Sequence, residues 1–286
     1  MTAPTTAPTT AATTAAPEDR IKDWWSTAIV DIEPGKIAFR GYPIQELIGR
    51  IGFAEMVWLM VRGELPGPER AALLEACLVA GVDHGPQAPS IAIARMSMTC
   101  GIDINNAMAS ATNVLGDVHG GAGQAALELY LAIDARIRAG ESLAEALEAV
   151  LRPLIEARQP LPGFGHRFHP VDPRAPRLIA LAREAVAAGT IGGDFVTIGL
   201  GVEDWLAAAK NRRLTMNIDG VTAVIFAELG FSPMLARGLF ILSRSVGIMA
   251  HAHEQAQQGG RIKGPTPPAF GYRYVGVSRR TLAEPD

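Results

Sequence analysis

The sequence has few of the residues that hold small secreted or zinc-stabilised proteins together. Only two of its 286 residues are cysteines, Cys77 and Cys100. Two cysteines are too few for a disulfide framework or for a cysteine-based structural zinc site. A chain of this length can instead bury a sizeable apolar core. We therefore expect a protein of a reducing compartment, with a cytoplasmic location.

The sequence also lacks an excess of charge of one sign and lacks long apolar runs. Its 26 Lys and Arg residues are nearly balanced by 29 Asp and Glu residues, which gives a net charge of −3. Without a basic surface, nucleic acid is not an expected partner. The most apolar stretch, LARGLFILSRSVGIMAH, is interrupted by Arg237 and Arg244. It therefore predicts a buried helix and no membrane partner.

Residues 1–19 differ in composition from everything that follows. They are rich in Thr, Ala and Pro and carry no charged residue before Glu18. They lack the basic start and Leu-rich centre of a signal peptide, and they lack the arginines of a mitochondrial presequence. This composition predicts a disordered tail.

The remaining sequence is helical in pattern, apart from one hairpin. The segment IVDIEPGKIAFRGYP at 29–43 alternates apolar and polar residues on both sides of Pro34-Gly35, which predicts a small β-hairpin. Later segments have helical periodicity, for example 68–81, 202–210 and 221–230. There is no βαβ alternation, so the sequence predicts an all-α fold with a minor N-terminal β-hairpin.

Polar residues able to do chemistry gather at the breaks between the predicted helices. Three Gly/Pro-rich breaks each carry a histidine: VDHGPQAPS has His84, GDVHGGAG has His119, and PGFGHRFHP has His166. A fourth break, RRLTMNIDG, carries Asp219. Loops held by a rigid scaffold commonly build active sites. A single loop histidine is more often structural than catalytic, so the hypothesis of a site depends on the whole set.

Taken in order, these motifs resemble those of the citrate synthase superfamily. The resemblance is carried by HGGAG at 119–123, GFGHRF…DPR at 163–174, NIDG at 217–220 and LSRSVGIMAHAHEQ at 242–255. It implies an all-helical homodimer whose subunits each close a large and a small domain over acetyl-CoA and oxaloacetate. The large domain would comprise residues 20–119 and 223–286, and the small domain residues 120–222.

The resemblance also implies roles for three residues in making or breaking a carbon–carbon bond. Asp219 would be the base that removes a methyl proton from acetyl-CoA, and His119 would donate a hydrogen bond to the thioester oxygen. His166 would be the acid at the ketone oxygen of oxaloacetate. In the cleavage direction His166 would take the hydroxyl proton and Asp219 would reprotonate the enol.

The resemblance assigns further residues to binding. Arg174 and Arg244 would hold carboxylates of the keto acid, because a guanidinium group suits a carboxylate. His84 would hold the same substrate through its imidazole ring. The residues that would lie along coenzyme A are Lys210, Arg212, Arg213, Gly163 and Gly165. The two adjacent arginines are equally compatible with a solvated helix end. The chemistry requires no metal and no redox cofactor, only the coenzyme A thioester as substrate.

Within this superfamily the sequence resembles citryl-CoA lyases more than common citrate synthases. A single predicted helix at 68–81 spans a region that synthases fill with many more residues. VDHGP and NIDG are similar to the corresponding motifs of the citryl-CoA lyase module of ATP citrate lyase. Gly264 stands where synthases have an arginine that reaches the partner subunit's carboxylate site. His119, in contrast, is typical of synthases.

We therefore favour a citryl-CoA lyase, supplied by a separate citryl-CoA synthetase. The first alternative is a short citrate or 2-methylcitrate synthase, an acyltransferase that also hydrolyses the thioester. The second alternative is a non-catalytic protein that binds coenzyme A or a tricarboxylate.

Two other positions are open to more than one interpretation. Asp172 is equally suited to cap a helix and to act directly in the site. His251 and His253, beside Glu254, suggest a metal site, but residues two apart on a helix face different sides. We expect no metal there, and we expect His251 to pack behind the site.

Overall fold

The computed structural model describes residues 21–165, 170–210 and 213–282. The chain divides into two compact units, one up to Gly67 and one from Pro68 onward. The helices and the small sheet confirm the predicted all-α fold with a minor β-hairpin. The predicted tail at 1–19 lies outside the described residues. The predicted division at 120 and 222 into a small and a large domain stays a prediction.

The first unit contains the sheet and two helices. Its elements are β1 (Val30–Glu33), β2 (Lys36–Phe39), β3 (Tyr42–Pro43), α1 (Ile44–Leu47) and α2 (Phe53–Arg62). β1 and β2 pair antiparallel across the Pro34-Gly35 turn, as predicted, and β3 adds a short third strand. The Arg40 guanidinium donates to the Met60 carbonyl at 2.7 Å and so connects the sheet to α2.

The second unit is built from helices. They are α3 (Pro68–Gly81), α4 (Pro89–Met98), α5 (Ile104–Asn113), α6 (Ala122–Arg138), α7 (Leu143–Glu156), α8 (Arg174–Ala187), α9 (Asp194–Lys210), α10 (Ile218–Glu228) and α11 (Pro233–Gln258). The breaks between them include the loops that carry His84 and His119.

Two helices begin earlier than their sequence pattern predicts. α9 begins at Asp194 rather than at 202. The predicted start was too late because Gly199, which lies within the helix, weakens the helical pattern of the sequence. A Cβ at Gly199 would lie 2.7 Å from the Val224 side chain, so this glycine allows α9 to approach α10 closely. α10 begins at Ile218, which places Asp219 on its first turn and not in a loop.

The long helix α11 lies at the centre of the second unit. It packs against α3, α4, α5 and α6. Its contact with α4 and α5 is made of small and branched residues: Ile91, Ala94, Ala107, Ala111, Leu115, Ile248 and Ala252. By length and composition alone α11 could cross a membrane, a test that core helices of soluble proteins also pass. Only 33 % of its apolar window is buried, so α11 is buried on the face that contacts these four helices and not all round, in contrast to the buried helix that the sequence predicts.

Candidate active site

One cleft of about 800 Å³ brings together four of the residues singled out from the sequence. His84, His119, Asp219 and Arg244 all line it. The N-terminal ends of three helices, α4, α6 and α10, also line it. Helix N-termini carry free N–H groups and a partial positive charge. The cleft is therefore suited to an anionic ligand.

His119 lies in the turn before α6, and its hydrogen bonds fix which ring nitrogen carries the proton. The backbone N–H of Ser90, on the first turn of α4, donates to Nε2 of His119 at 3.2 Å. A nitrogen that accepts this bond carries no proton, so the proton of the neutral ring is on Nδ1. Burial and the nearby Arg244 guanidinium lower the pKa of His119. His119 is therefore a neutral histidine with an Nδ1–H donor.

Asp219 is held on the first turn of α10 by the residue that caps the helix. The side-chain oxygen of Asn217 accepts from the backbone N–H of Asp219 at 2.9 Å and from that of Gly220 at 3.2 Å. Burial raises the pKa of the Asp219 carboxyl, although the charges of Arg174 and Arg244 oppose the rise. A carboxyl with a raised pKa is a stronger base when ionised and holds a proton more readily.

The loop that precedes His166 is fixed directly against the start of α10. Gly165 donates its N–H to Thr215 at 2.8 Å, and the N–H of Asn217 donates to Gly163 at 2.9 Å. The Asn217 amide also donates to the carbonyl of Gly165 at 2.7 Å. A Cβ on Gly220 would lie 2.3 Å from the Gly163 oxygen, so the two backbones touch. Gly163 and Gly165, predicted to lie along coenzyme A, therefore also anchor this loop.

Arg174 forms a bidentate ion pair with Asp172. Nε of Arg174 donates to Oδ1 of Asp172 at 2.9 Å, and Nη2 donates to Oδ2 at 2.8 Å. The same carboxylate accepts the backbone N–H of Arg174 at 3.1 Å and that of Ile218 at 2.9 Å. The N-cap residue of α8 is Pro173, with no side-chain capping hydrogen bond, so Asp172 acts from one residue before the cap position. Its carboxylate holds the first backbone N–H of α8 and joins the start of α8 to the start of α10.

Asp172 is almost fully buried, with 1 % of its surface exposed. Burial by itself raises the pKa of this carboxyl, but the hydrogen bonds and charge of Arg174 and the Ile218 N–H outweigh it. The net effect is a lowered pKa. Arg174, predicted to hold a substrate carboxylate, therefore has its guanidinium fork engaged by a carboxylate of the protein itself.

Arg244 is buried on α11 with its guanidinium at the cleft. Its Nε donates to the carbonyl of Gly81 at 3.2 Å, and its guanidinium carbon lies 5.0 Å from the centre of the Phe240 ring. Both Arg244 and Phe240 line the cleft. The remaining N–H groups of a guanidinium held in this way are available to a ligand carboxylate.

The other predicted residues lie elsewhere or outside the described part of the chain. His166 and Arg212 are not among the described residues. Lys210 is exposed at the end of α9. Arg213 is exposed and lines a separate cavity of about 520 Å³ together with Arg183. Among the described residues, no three His, Cys, Asp or Glu side chains are arranged to hold a metal ion.

Sequence reasoning assigned no role to Ser90 or Asn217, although both lie inside quoted motifs. Each supports a predicted residue: Ser90 fixes the ring of His119, and Asn217 caps the helix that carries Asp219. An asparagine two residues before a predicted catalytic group is a readable capping signal. The role of Ser90 depends on a contact between residues 29 positions apart.

Comparison with known proteins identifies a family. The family model described as "Citrate synthase, C-terminal domain" matches residues 21–76 and 66–266. Citrate synthase 2 of Bacillus subtilis is 28 % identical over 214 residues, covering 74 % of this chain and 54 % of its own. Citrate synthase 1 of Mycobacterium tuberculosis is 31 % identical over 224 residues, which cover 74 % of this chain and 50 % of the synthase. The chain thus spans about half the length of these curated relatives.

Solved structures add a likeness that covers almost the whole of the other chain. Citryl-CoA lyase from Hydrogenobacter thermophilus is 30 % identical with a TM-score of 0.80, covering 90 % of this chain and 97 % of its own. Citrate synthase from Thermoplasma acidophilum is 22 % identical with a TM-score of 0.66, and the match covers 82 % of this chain and 59 % of the synthase. The second likeness supports the fold only.

Proposed function

Because the chain belongs to the citrate synthase family, we propose that it is a citryl-CoA lyase, which cleaves citryl-CoA to acetyl-CoA and oxaloacetate. The observation that carries this choice is the likeness to the Hydrogenobacter thermophilus lyase over 97 % of that chain. Curated synthases are about twice as long as the part that this chain matches. The match in fold over almost the whole of that lyase supports the lyase activity.

The geometry of the cleft supports the proposed chemistry at the acetyl group. When the bond between the two substrate halves breaks, its electron pair moves onto the acetyl carbon and the thioester oxygen. The Nδ1–H of neutral His119 donates a hydrogen bond to that oxygen as charge develops. Protonated Asp219 then delivers its proton to the acetyl carbon, which completes acetyl-CoA. The raised pKa of Asp219 favours this proton delivery.

The same cleft suits the charge of the substrate. The citryl group carries carboxylates, and the cleft offers the Arg244 guanidinium and the N-terminal ends of three helices. His84, exposed at the entrance loop, would hold the keto acid half. His166 would accept the proton of the citryl hydroxyl, a role that follows from its motif.

A short citrate or 2-methylcitrate synthase is the second candidate, and one observation favours it. His119 and its surrounding HGGAG motif resemble synthases, and curated relatives of this chain are named citrate synthases. Such an enzyme would form the carbon–carbon bond, which is the reverse of the cleavage described above, and would then hydrolyse the thioester. Both candidates use the same cleft, so hydrolysis distinguishes them.

A paired assay on the purified protein tests the proposal. In the first arm, citryl-CoA is supplied and oxaloacetate is followed by a coupled dehydrogenase. In the second arm, acetyl-CoA and oxaloacetate are supplied and free thiol is followed. Rapid oxaloacetate release with little thiol is the result that we expect. Strong thiol formation would instead identify a synthase.

The Asp219→Asn variant serves as the control in both arms, because it keeps the shape of the side chain and removes the acid–base group. Absence of turnover in both arms with the wild-type protein would favour the non-catalytic alternative. The lyase proposal also implies a separate enzyme that forms citryl-CoA. The homodimer stays a prediction, which light scattering of the purified protein tests.

A further inference from the structure

The loop that carries His84 lies along one face of α11, close enough for backbone contact. Arg244 donates to the carbonyl of Gly81. One turn further along α11, a Cβ on Gly247 would lie 2.1 Å from the carbonyl oxygen of Val82. Only glycine at this position lets the helix and the loop approach so closely. The loop therefore packs against α11 along residues 81–82 and is not surrounded by solvent there.

The next contact in this series joins Asp83 to His251. Nε2 of His251 lies 3.3 Å from Oδ1 of Asp83. This oxygen is buried and has no hydrogen-bond partner among the described residues, so the contact with Nε2 of His251 brings a polar group to an otherwise unsatisfied carboxylate oxygen. The second oxygen of Asp83 accepts the backbone N–H of Gly85 at 2.9 Å. The Asp83 carboxylate thus connects α11 to both sides of His84.

Arg95 determines which nitrogen of His251 faces Asp83. Its Nη1 lies 3.1 Å from Nδ1 of His251, and an arginine can only donate, so Nδ1 is the acceptor. The proton of the neutral ring is then on Nε2, where it points to Asp83. Arg95 is itself held by Glu254 and by Gln258, the latter at 2.6 Å.

The two basic members of the series are largely shielded from solvent, whereas the side chain of Asp83 is 36 % exposed. The side chains of Arg95 and His251 are 11 % and 19 % exposed. Burial raises the pKa of Asp83, but hydrogen bonds from Gly85 and His251 outweigh it, and the net pKa is lowered. Asp83 therefore remains an ionised acceptor between the histidine and the loop.

From these contacts we infer that His251 is a positioning residue: with its ring oriented by Arg95, it holds Asp83 and so fixes the loop that presents His84 to the cleft. His251 is not among the residues that line the cleft. The inference rests on the proposed function in one respect, the role of His84 as a contact to the keto acid.

Two substitutions test the polar contacts of His251 with Asp83 and with Arg95. His251→Gln keeps a donor near the position of Nε2. His251→Leu removes both contacts and replaces the ring with an apolar side chain of similar bulk. The matched control is His253→Leu, because His253 is the same residue type on the same helix but is exposed and bonds to Gln257.

The first measurement is amide hydrogen exchange in a peptide that spans residues 82–88. The Gly85 N–H is protected by its bond to Asp83, so we expect faster exchange at this peptide in His251→Leu and wild-type exchange in His253→Leu. Unchanged exchange in His251→Leu would overturn the inference. This result does not depend on turnover, so it decides the positioning role even if the wild-type protein proves inactive and the proposed function fails.

The second measurement is a double-mutant cycle with His84→Ala, using the KM for oxaloacetate in the condensation direction. We expect His251→Leu to raise this KM about tenfold, with less than a twofold change in the KM for acetyl-CoA, and His251→Gln to restore most of it. When His84 is already replaced by alanine, His251→Leu should change the KM for oxaloacetate less than twofold. Full additivity would mean that His251 acts on the fold generally, which would refute the inference.

Discussion

Replacing Asp172 with asparagine isolates the contribution of the ion pair that joins α8 to α10. The carboxylate of Asp172 accepts four donors: three from Arg174 and one from the backbone of Ile218. Asparagine has the same shape but offers only one acceptor oxygen. Whichever way the amide turns, its NH₂ group faces two of the four donors.

The expected cost follows from the burial of the pair. The side chain of Asp172 is fully buried and that of Arg174 is 22 % exposed, so water can replace few of the lost bonds. Removing one partner of a buried ion pair costs about 3–5 kcal/mol. We therefore expect Asp172→Asn to lower the free energy of unfolding by about that amount, measured by urea denaturation at pH 7. The control is Glu46→Gln, which breaks an exposed pair with Arg50 and should cost less than about 1 kcal/mol.

The pH dependence gives an independent check on the same reasoning. The pKa of Asp172 is lowered in the folded protein, so its stabilising contribution is present above the unfolded pKa of about 3.9. That contribution is lost as the pH falls through the lower folded-state pKa. The difference between wild type and Asp172→Asn should be constant from pH 7 to pH 5 and should narrow toward pH 3. A loss below 1 kcal/mol at pH 7, or a difference that does not narrow, would contradict the assignment of the pair.

Three other substitutions or titrations test the site. Asp219→Asn should reduce turnover in the coupled assay at least about 100-fold, with an unchanged or higher melting temperature, because a neutral amide avoids the cost of burying charge; near-normal turnover would remove Asp219 from the mechanism. The ring of His119 should titrate by NMR below its usual midpoint of about 6.5, since burial and Arg244 lower its pKa. A midpoint at or above that value would contradict the lowered pKa that this environment implies. Gly220→Ala should lower the free energy of unfolding by about 1–3 kcal/mol through overpacking against Gly163. The control Gly238→Ala has space for a methyl group and should not lower it. The same free energy of unfolding in both variants would contradict the close contact.

The sequence predicted helices well where their ends carry a physical signal. α3 begins at Pro68 and ends at Gly81 as predicted, because proline suits the first turn and glycine the last. The start of α9 could not be predicted in the same way. Gly199 weakens the helical pattern, and its reason is the approach of α10, a contact that only the folded chain contains.

The site follows the same division. His84, His119, Asp219 and Arg244 could be predicted because each lies in a motif, and all four line one cleft. Among the partners that orient them, Asn217 carries a local capping signal, but Ser90 could not be predicted, because its contact with His119 joins distant parts of the sequence. The contact between the side chains of His251 and Asp83 connects α11 to the loop that precedes α4. No local pattern of polarity or periodicity marks such a pair.

The docking of residues 81–83 on α11 also limits where the chain can change in length. Gly81, Val82 and Asp83 meet successive positions along the helix, at Arg244, at Gly247 and at His251. Inserting or deleting one residue within this stretch would shift every contact to the wrong partner and would turn His84 away from the cleft. Length changes in this region are therefore tolerable only before Gly81, where α3 can lengthen or shorten, or after Gly85.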